Sequence, residues 1–203
     1  MVKIDLKKEL KALYVPSAKE VTLINVPEMQ FIMVDGQGAP ESEQYGKSIE
    51  ALYAIAYTMK FAKKKADGTD FTVMALEGLW WAEDYKDFDP ETGDRNKWQW
   101  TMMIMQPDFI TKIDFESAWE AAAKKKDNPL IAKVRFESFK EGKSAQIMHI
   151  GPYSAEGTTV QKLHQKIQEI GGSLSGKHHE IYLSDPRRVD PAKMKTVLRQ
   201  PYR

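Results

Sequence analysis

His179-Glu180-Ile181-Tyr182-Leu183 is the segment whose residue types and spacing could do chemistry. It reads as a strand, and alternation along a strand sends Glu180 and Tyr182 to the same face. A carboxylate held among aromatic rings has two uses. It can neutralise a lipophilic cation, or it can orient a water and deprotonate it as a general base. The plainer alternative is an exposed edge glutamate beside an ordinary sheet tyrosine.

Further aromatic residues could share that site. Tyr153 follows Gly151-Pro152 at the entry to a helix, where a phenol can point into a cleft. Trp80 and Trp81 are adjacent in a strand and face opposite sides, so at most one of them lines a cavity. Trp98 and Trp100 share a face and form either core or a cavity wall, with core the default. Met74, Met102, Met103 and Met105 add pliable apolar surface that suits a core or an adaptable binding wall.

The elements that must position these residues form a pattern that occurs twice. Val21 to Val26 and Gln30 to Val34 read as two strands of a hairpin split at Pro27-Glu28. Ser42 can cap a long helix whose apolar stripe is Tyr45, Ile49, Leu52, Ala56 and Met59. Strands over 71–81 and 97–105 follow, expected to pair antiparallel, and then a helix from Phe115 to Lys126 with Asp114 as its cap. The pattern restarts with a hairpin of Val134 to Phe139 and Ala145 to Ile150 across Glu141-Gly142. A helix from about Ser154 carries the stripe Val160, Leu163, Ile167 and Ile170, and Gly171-Gly172 ends it. Strands near His179 to Leu183 and Lys195 to Gln200 complete the second half, separated by Asp185-Pro186. The fold class is α+β in one domain, with a first half over about 21–106, a connecting helix at 114–127 and a second half over 132–202. Duplicated sheets of this kind pack about a pseudo-twofold axis and leave a central pocket where ligands bind.

Composition excludes several functions. Among 203 residues, 30 Lys and Arg nearly cancel 29 Asp and Glu, so no global field favours nucleic acid. The local runs Lys60, Lys63, Lys64, Lys65 and Glu83, Asp84, Asp87, Asp89, Glu91, Asp94 read as solvated surface, because neither interleaves with aromatics. Cysteine is absent, which removes disulfides, thiolate catalysis and Cys-ligated zinc. No run of eighteen apolar residues could span a membrane, and the charged lead-in from Met1 to Glu9 is no secretory segment, so a cytoplasmic location is expected. Gly171-Gly172-Ser173-Leu174-Ser175-Gly176 does not match a nucleophile elbow, and no phosphate-cradling loop occurs. Asp87, Asp89 and Glu91 fit a calcium loop poorly, and His178-His179 lack metal-binding spacing, so neither a metal nor another cofactor is expected.

Four short signatures support a resemblance: Val26-Pro27-Glu28, His149-Ile150-Gly151-Pro152-Tyr153, Glu180-Ile181-Tyr182-Leu183 and Gln200-Pro201-Tyr202. By their order and spacing, the stretch from about Val21 to Tyr202 resembles a GyrI-like small-molecule-binding domain. The resemblance implies two strand-helix-strand-strand modules and a central ligand pocket, in which a glutamate like Glu180 and surrounding aromatics meet large, cationic or aromatic ligands. Relatives fused to a DNA-binding helix-turn-helix regulate transcription. About twenty residues precede the first repeat here, too few for such a reader, so nucleic acid is not an expected partner. Similar stand-alone members are hydrolases that open the strained cyclopropane ring of reactive natural products. On that likeness Glu180 and Tyr182 are the catalytic candidates, while Trp80, Trp81, Trp100, Tyr153 and His149 are the ligand contacts. Two other readings stay open, a ligand-sequestering module and a regulator that acts on a protein partner such as a topoisomerase.

Overall fold

The computed structural model describes residues 3–88 and 92–203; Met1 and Val2 of the lead-in, and Asp89 and Glu91 of the acidic run, lie outside the described residues. In chain order the elements are α1 (Leu6–Glu9), α2 (Lys11–Tyr14), β1 (Thr22–Gln37), α3 (Glu43–Asp67), β2 (Leu76–Trp81), β3 (Gln99–Gln106), α4 (Lys112–Lys125), β4 (Arg135–Ile150), α5 (Gly157–Glu169), β5 (His178–Tyr182) and β6 (Lys195–Pro201). The class is α+β, with antiparallel strand pairing. Strand, helix, strand, strand occurs twice, as β1-α3-β2-β3 and β4-α5-β5-β6.

Both expected hairpins are single 16-residue strands. A tight hairpin turn needs positive φ at one or both central residues. Among the described residues no positive-φ residue other than glycine occurs, and Val26-Pro27-Glu28-Met29 contains none. The strand therefore runs on through Pro27. In β4, Gly142 does take φ +77°, yet the strand continues past it without reversing, and the ladder to β6 begins two residues later at Ser144. The expected 71–81 strand shortens to β2, and Phe71 makes only an isolated parallel bridge to Ile4. Thr111, not Asp114, caps α4: Asp114 sits at the third helical position and closes a capping box with Thr111. Ser42 caps α3 as expected, accepting from the Tyr45 amide.

The chain divides into two compact units, each assembled from separate segments. The first comprises Met1–Leu6, Met29–Met74 and Trp80–Phe139. In it β3 pairs antiparallel with β1 from Gln30↔Gln106 to Gln37↔Gln99. Phe31 to Val34 and Met102 to Met105 are buried along that ladder, and α3 contributes Ala51, Leu52, Ile55, Ala56 and Met59. The four methionines singled out in the sequence are therefore core.

The second unit comprises Lys7–Glu28, Ala75–Leu79 and Lys140–Arg203. Its sheet has β6 between β4 and β5, antiparallel to both. One face of that sheet packs Ala145, Ile147 and Leu198 against Leu163 and Ile167 of α5, the apolar stripe legible in the sequence. Burial of each such aliphatic side chain contributes about 1.5–3 kcal/mol, which holds α5 against β4 and β6.

Candidate functional site

Register assigns every side chain of the second unit's sheet to one of two faces. Across β5, β6 and β4, His179 is opposite Arg199 and Arg199 opposite Gln146; Tyr182 is opposite Thr196 and Thr196 opposite His149. Because strand side chains alternate, these rows lie on opposite faces. His179 and Ile181 are buried on the first face, while His178, Glu180 and Tyr182 are partly exposed on the second.

The first face carries a closed polar network. His179 Nε2 donates to Glu77 Oε2 at 3.0 Å and Nδ1 donates to Glu141 Oε1 at 3.0 Å. Both partners are carboxylates, which only accept, so both ring nitrogens carry protons and the imidazole is cationic. Arg199 donates to Glu141 at 3.0 Å, to Gln146 Oε1 at 3.1 Å and to the Leu13 carbonyl at 2.8 Å. Tyr14 donates its hydroxyl to Glu77 at 2.7 Å. Burial opposes charge on His179, but Glu141 and Glu77 overcome it and raise the imidazole to about 9. Burial likewise works against the Glu141 carboxylate, and His179 with Arg199 overcomes it, holding the group at about 2. Two anions thus meet two cations in a region closed to water. Such an arrangement fixes geometry more than it adds stability.

The second face is different. Tyr153, in the 3-10 turn before α5, sets its ring edge-on to Tyr182 at 5.7 Å and 82°. Glu180 has a side chain about one-fifth exposed, with His178 Nε2 3.6 Å from its Oε1. Glu156, the residue before α5, is buried at 8% exposure, and its Oε1 has no hydrogen-bond partner; the same holds for the hydroxyl of Thr196. Burial first, and then the charge of Glu180, push Glu156 up to about 9. The Thr196 hydroxyl is near enough to favour the carboxylate slightly, but makes no hydrogen bond of accepted geometry with it. Tyr153 is raised to about 12 by burial and then by Glu156, Glu180 and Asp185. One half-open carboxylate, one buried carboxyl and two phenols therefore meet at the mouth of α5.

The turn that delivers Tyr153 is held by His149. Its Nε2 donates to the Pro152 carbonyl at 3.2 Å and its Nδ1 lies 2.9 Å from the Thr159 hydroxyl. Gly151 between them takes φ +143°, where a side chain is strained, and a Cβ there would stand 3.1 Å from His149 Nε2. The His-Ile-Gly-Pro-Tyr signature is thus a device for placing Tyr153. Both nitrogens of His149, expected as a ligand contact, are engaged in that turn.

Of the sequence candidates, Glu180, Tyr182 and Tyr153 come together on this face. Trp80, Trp81 and Trp100 belong to the first unit. There Tyr45 stands 5.8 Å from Trp80 and 5.4 Å from Trp100, and Trp98 packs edge-on to Trp80 at 6.0 Å. Trp100 is fully buried, with its indole N–H on the Gly38 carbonyl at 3.2 Å, which makes it core; Trp80 is buried and Trp81 partly exposed. Among the described residues no group of three or more His, Asp or Glu is arranged to hold a metal ion, and no helix is long and apolar enough to cross a membrane.

Sequence reasoning missed Glu156, Thr196, Tyr14, Glu77, Glu141 and Arg199. Glu77 had a visible signal, being a charge inside an otherwise apolar strand, where it must be paired. Glu156 follows Tyr153 by three residues, the spacing that puts two side chains on one side of a helix start.

Residues 19–203 match the GyrI-like small molecule binding domain. The chain belongs to that family. Within it, a conserved protein of unassigned function from Listeria innocua is 46% identical, with a TM-score of 0.91 over 99% of this chain and 100% of the other. A hydrolase encoded by lin2189 of Listeria innocua is also 46% identical, with a TM-score of 0.88 over the whole of both chains. The C-terminal domain of EcmrR shares the fold at 16% identity and a TM-score of 0.55, over 91% of this chain and 97% of that domain. No functionally curated protein matches the sequence. Membership of the family makes this chain a small-molecule-binding protein.

Proposed function

We propose that the Tyr153–Glu180–Tyr182 face binds an aromatic or cationic small molecule and hydrolyses electrophilic members of that class by adding water. The observation that carries this reading is the half-open Glu180 carboxylate on the same face as the edge-to-face pair of Tyr153 and Tyr182. Aromatic walls of this kind hold a flat ligand, and a carboxylate beside it can orient and deprotonate a water. The 46% identity to a protein described as a hydrolase supports the reaction class. The resemblance to cyclopropane-opening hydrolases suggests strained three-membered rings as the electrophile.

The reaction needs two things from these residues. The tyrosines orient the ring system and Glu180 takes the proton of the attacking water, which together hold water and electrophile in reacting geometry. The test substrate is the parent spirocyclopropyl-cyclohexadienone, whose opening by water gives a phenol detectable by absorbance. Wild-type protein should accelerate opening, and Glu180→Gln should lose turnover while retaining binding. Turnover unchanged in Glu180→Gln removes Glu180 from the mechanism.

A sequestering role is the second reading, favoured by the acidic character of the face. In that case wild-type protein binds the aromatic cation tetraphenylphosphonium without any turnover of the dienone, and Glu180→Gln weakens the cation while neutral aromatics bind as before.

A further inference from the structure

Glu156 has no part in the scheme above, yet it is the most unusual group on that face. It is a carboxyl nine-tenths buried with one oxygen unpartnered, and across from it the Thr196 hydroxyl is buried and equally unpartnered. Buried polar atoms are nearly always satisfied, and a pair left open beside a partly exposed carboxylate needs a reason. A structural carboxylate would have been given a cation or backbone amides, as Glu141 is given His179 and Arg199. Glu156 is given none.

We propose that Glu156 is the proton donor of this site, a buried acid that gives its proton to the substrate while Glu180, its partner, accepts the proton of the water. This rests on the hydrolytic reading and adds the acid that reading lacks. Two neighbouring carboxyl groups in different surroundings can divide the roles of acid and base between them. Here the difference is one of place: Glu156 is buried beside Thr196, and Glu180 is partly exposed beside His178. Burial and the charge of Glu180 hold the proton on Glu156 up to about pH 9. The remaining titratable groups around the pair are Tyr153, raised to about 12, His178 against Glu180, and Asp185, which acts on Tyr153.

For a spirocyclopropyl-cyclohexadienone the step balances without any further reactant. The water oxygen bonds to a ring methylene as the bond from that carbon to the spiro carbon breaks. The released electron pair aromatises the six-membered ring and comes to rest on the former carbonyl oxygen. Glu180 takes the water proton and Glu156 delivers its own to that oxygen, so the product is a neutral phenol bearing a hydroxyethyl arm. Proton transfer from Glu180 back to Glu156, through product or solvent, restores the pair.

The experiment is the pH profile of dienone opening by wild-type protein and by Glu156→Gln, with the melting temperature of each as a check on folding. In wild type, kcat should fall as pH rises through about 9. Glu156→Gln should lower kcat by about 10²-fold or more at nearly unchanged KM, and the alkaline fall should disappear. His179 also titrates near 9, so a fall that persists in Glu156→Gln belongs to His179 and overturns the assignment, as does an unchanged kcat. A wild type without turnover overturns the hydrolytic reading instead. Independently of turnover, and using Glu156→Gln only to assign the signal, carbon-13 titration of the glutamate carboxyls should show one group titrating near 9. An ordinary titration of Glu156 denies it a proton to give and overturns the proposal whatever the kinetics show.

Discussion

His179 and Glu180 are adjacent in β5, and the two faces they enter were built on opposite rules. On the His179 side, each charged group has its partner within about hydrogen-bonding distance and water is shut out. On the Glu180 side, two carboxyls and two phenols lie together, and the buried carboxyl and hydroxyl among them are left without partners. A satisfied buried network rigidifies and specifies a fold, whereas unsatisfied polar groups cost stability and persist where they do something else. The first face thus sets the register of β5 on β6, and register is what aims Glu180 and Tyr182 at the second.

The sharpest way to break this contrast is to remove one partner from the satisfied face. Arg199→Ala leaves Glu141 buried with one cation fewer, and should destabilise the protein by about 3–5 kcal/mol, read as a shift in the denaturant midpoint. Glu180→Gln should do the reverse, costing at least about 10²-fold in turnover with a melting temperature close to wild type. A variant that melts early without losing activity per folded molecule would reverse the roles assigned to the two faces.

The pH dependence of stability separates the faces by sign. His179 is raised from 6.5 to about 9, so its contribution is full below about 6.5 and is lost as pH rises through 9. Glu141 is lowered from 4.5 to about 2, so its contribution is present above 4.5 and is lost as pH falls through 2. Glu156 is raised from 4.5 to about 9 and works against the fold: above 4.5 the unfolded chain ionises while the folded one keeps its proton. Glu156→Gln should therefore stabilise the protein at neutral pH, whereas Glu141→Gln should destabilise it, and paired unfolding curves at several pH values check both.

Two smaller changes sharpen the comparison. Tyr14→Phe removes the hydroxyl that donates to Glu77, and should cost about 1–3 kcal/mol because a buried acceptor loses its donor. Thr196→Val removes a hydroxyl that has no partner at nearly constant volume. It should be neutral or stabilising by less than about 1 kcal/mol, measured as a rise in melting temperature.

Much of the first level of organisation was legible from the chain alone. The apolar stripe of α5, the cap at Ser42, the duplicated order of elements and the shared face of Glu180 and Tyr182 all follow from periodicities of 3.6 and 2, which are local properties. The two long strands were misread as hairpins because Pro27 and Gly142 are strong local punctuation. Whether a strand turns or runs on is settled by the partner it meets, and β4 meets β6 only from Ser144 onward.

By itself the sequence determined the α+β class, the family and the acid with its neighbouring tyrosine, since each depends on residues close together in the chain. Tertiary structure alone decided that Glu77, Glu141, His179 and Arg199 share one buried network, because those residues are brought together from a strand after α3, from β4 and from the last two strands. It also decided that one oxygen of Glu156 is left without a hydrogen bond while Glu141 has two cations. A carboxyl's charge depends on what surrounds it in space, and no spacing along a chain records that.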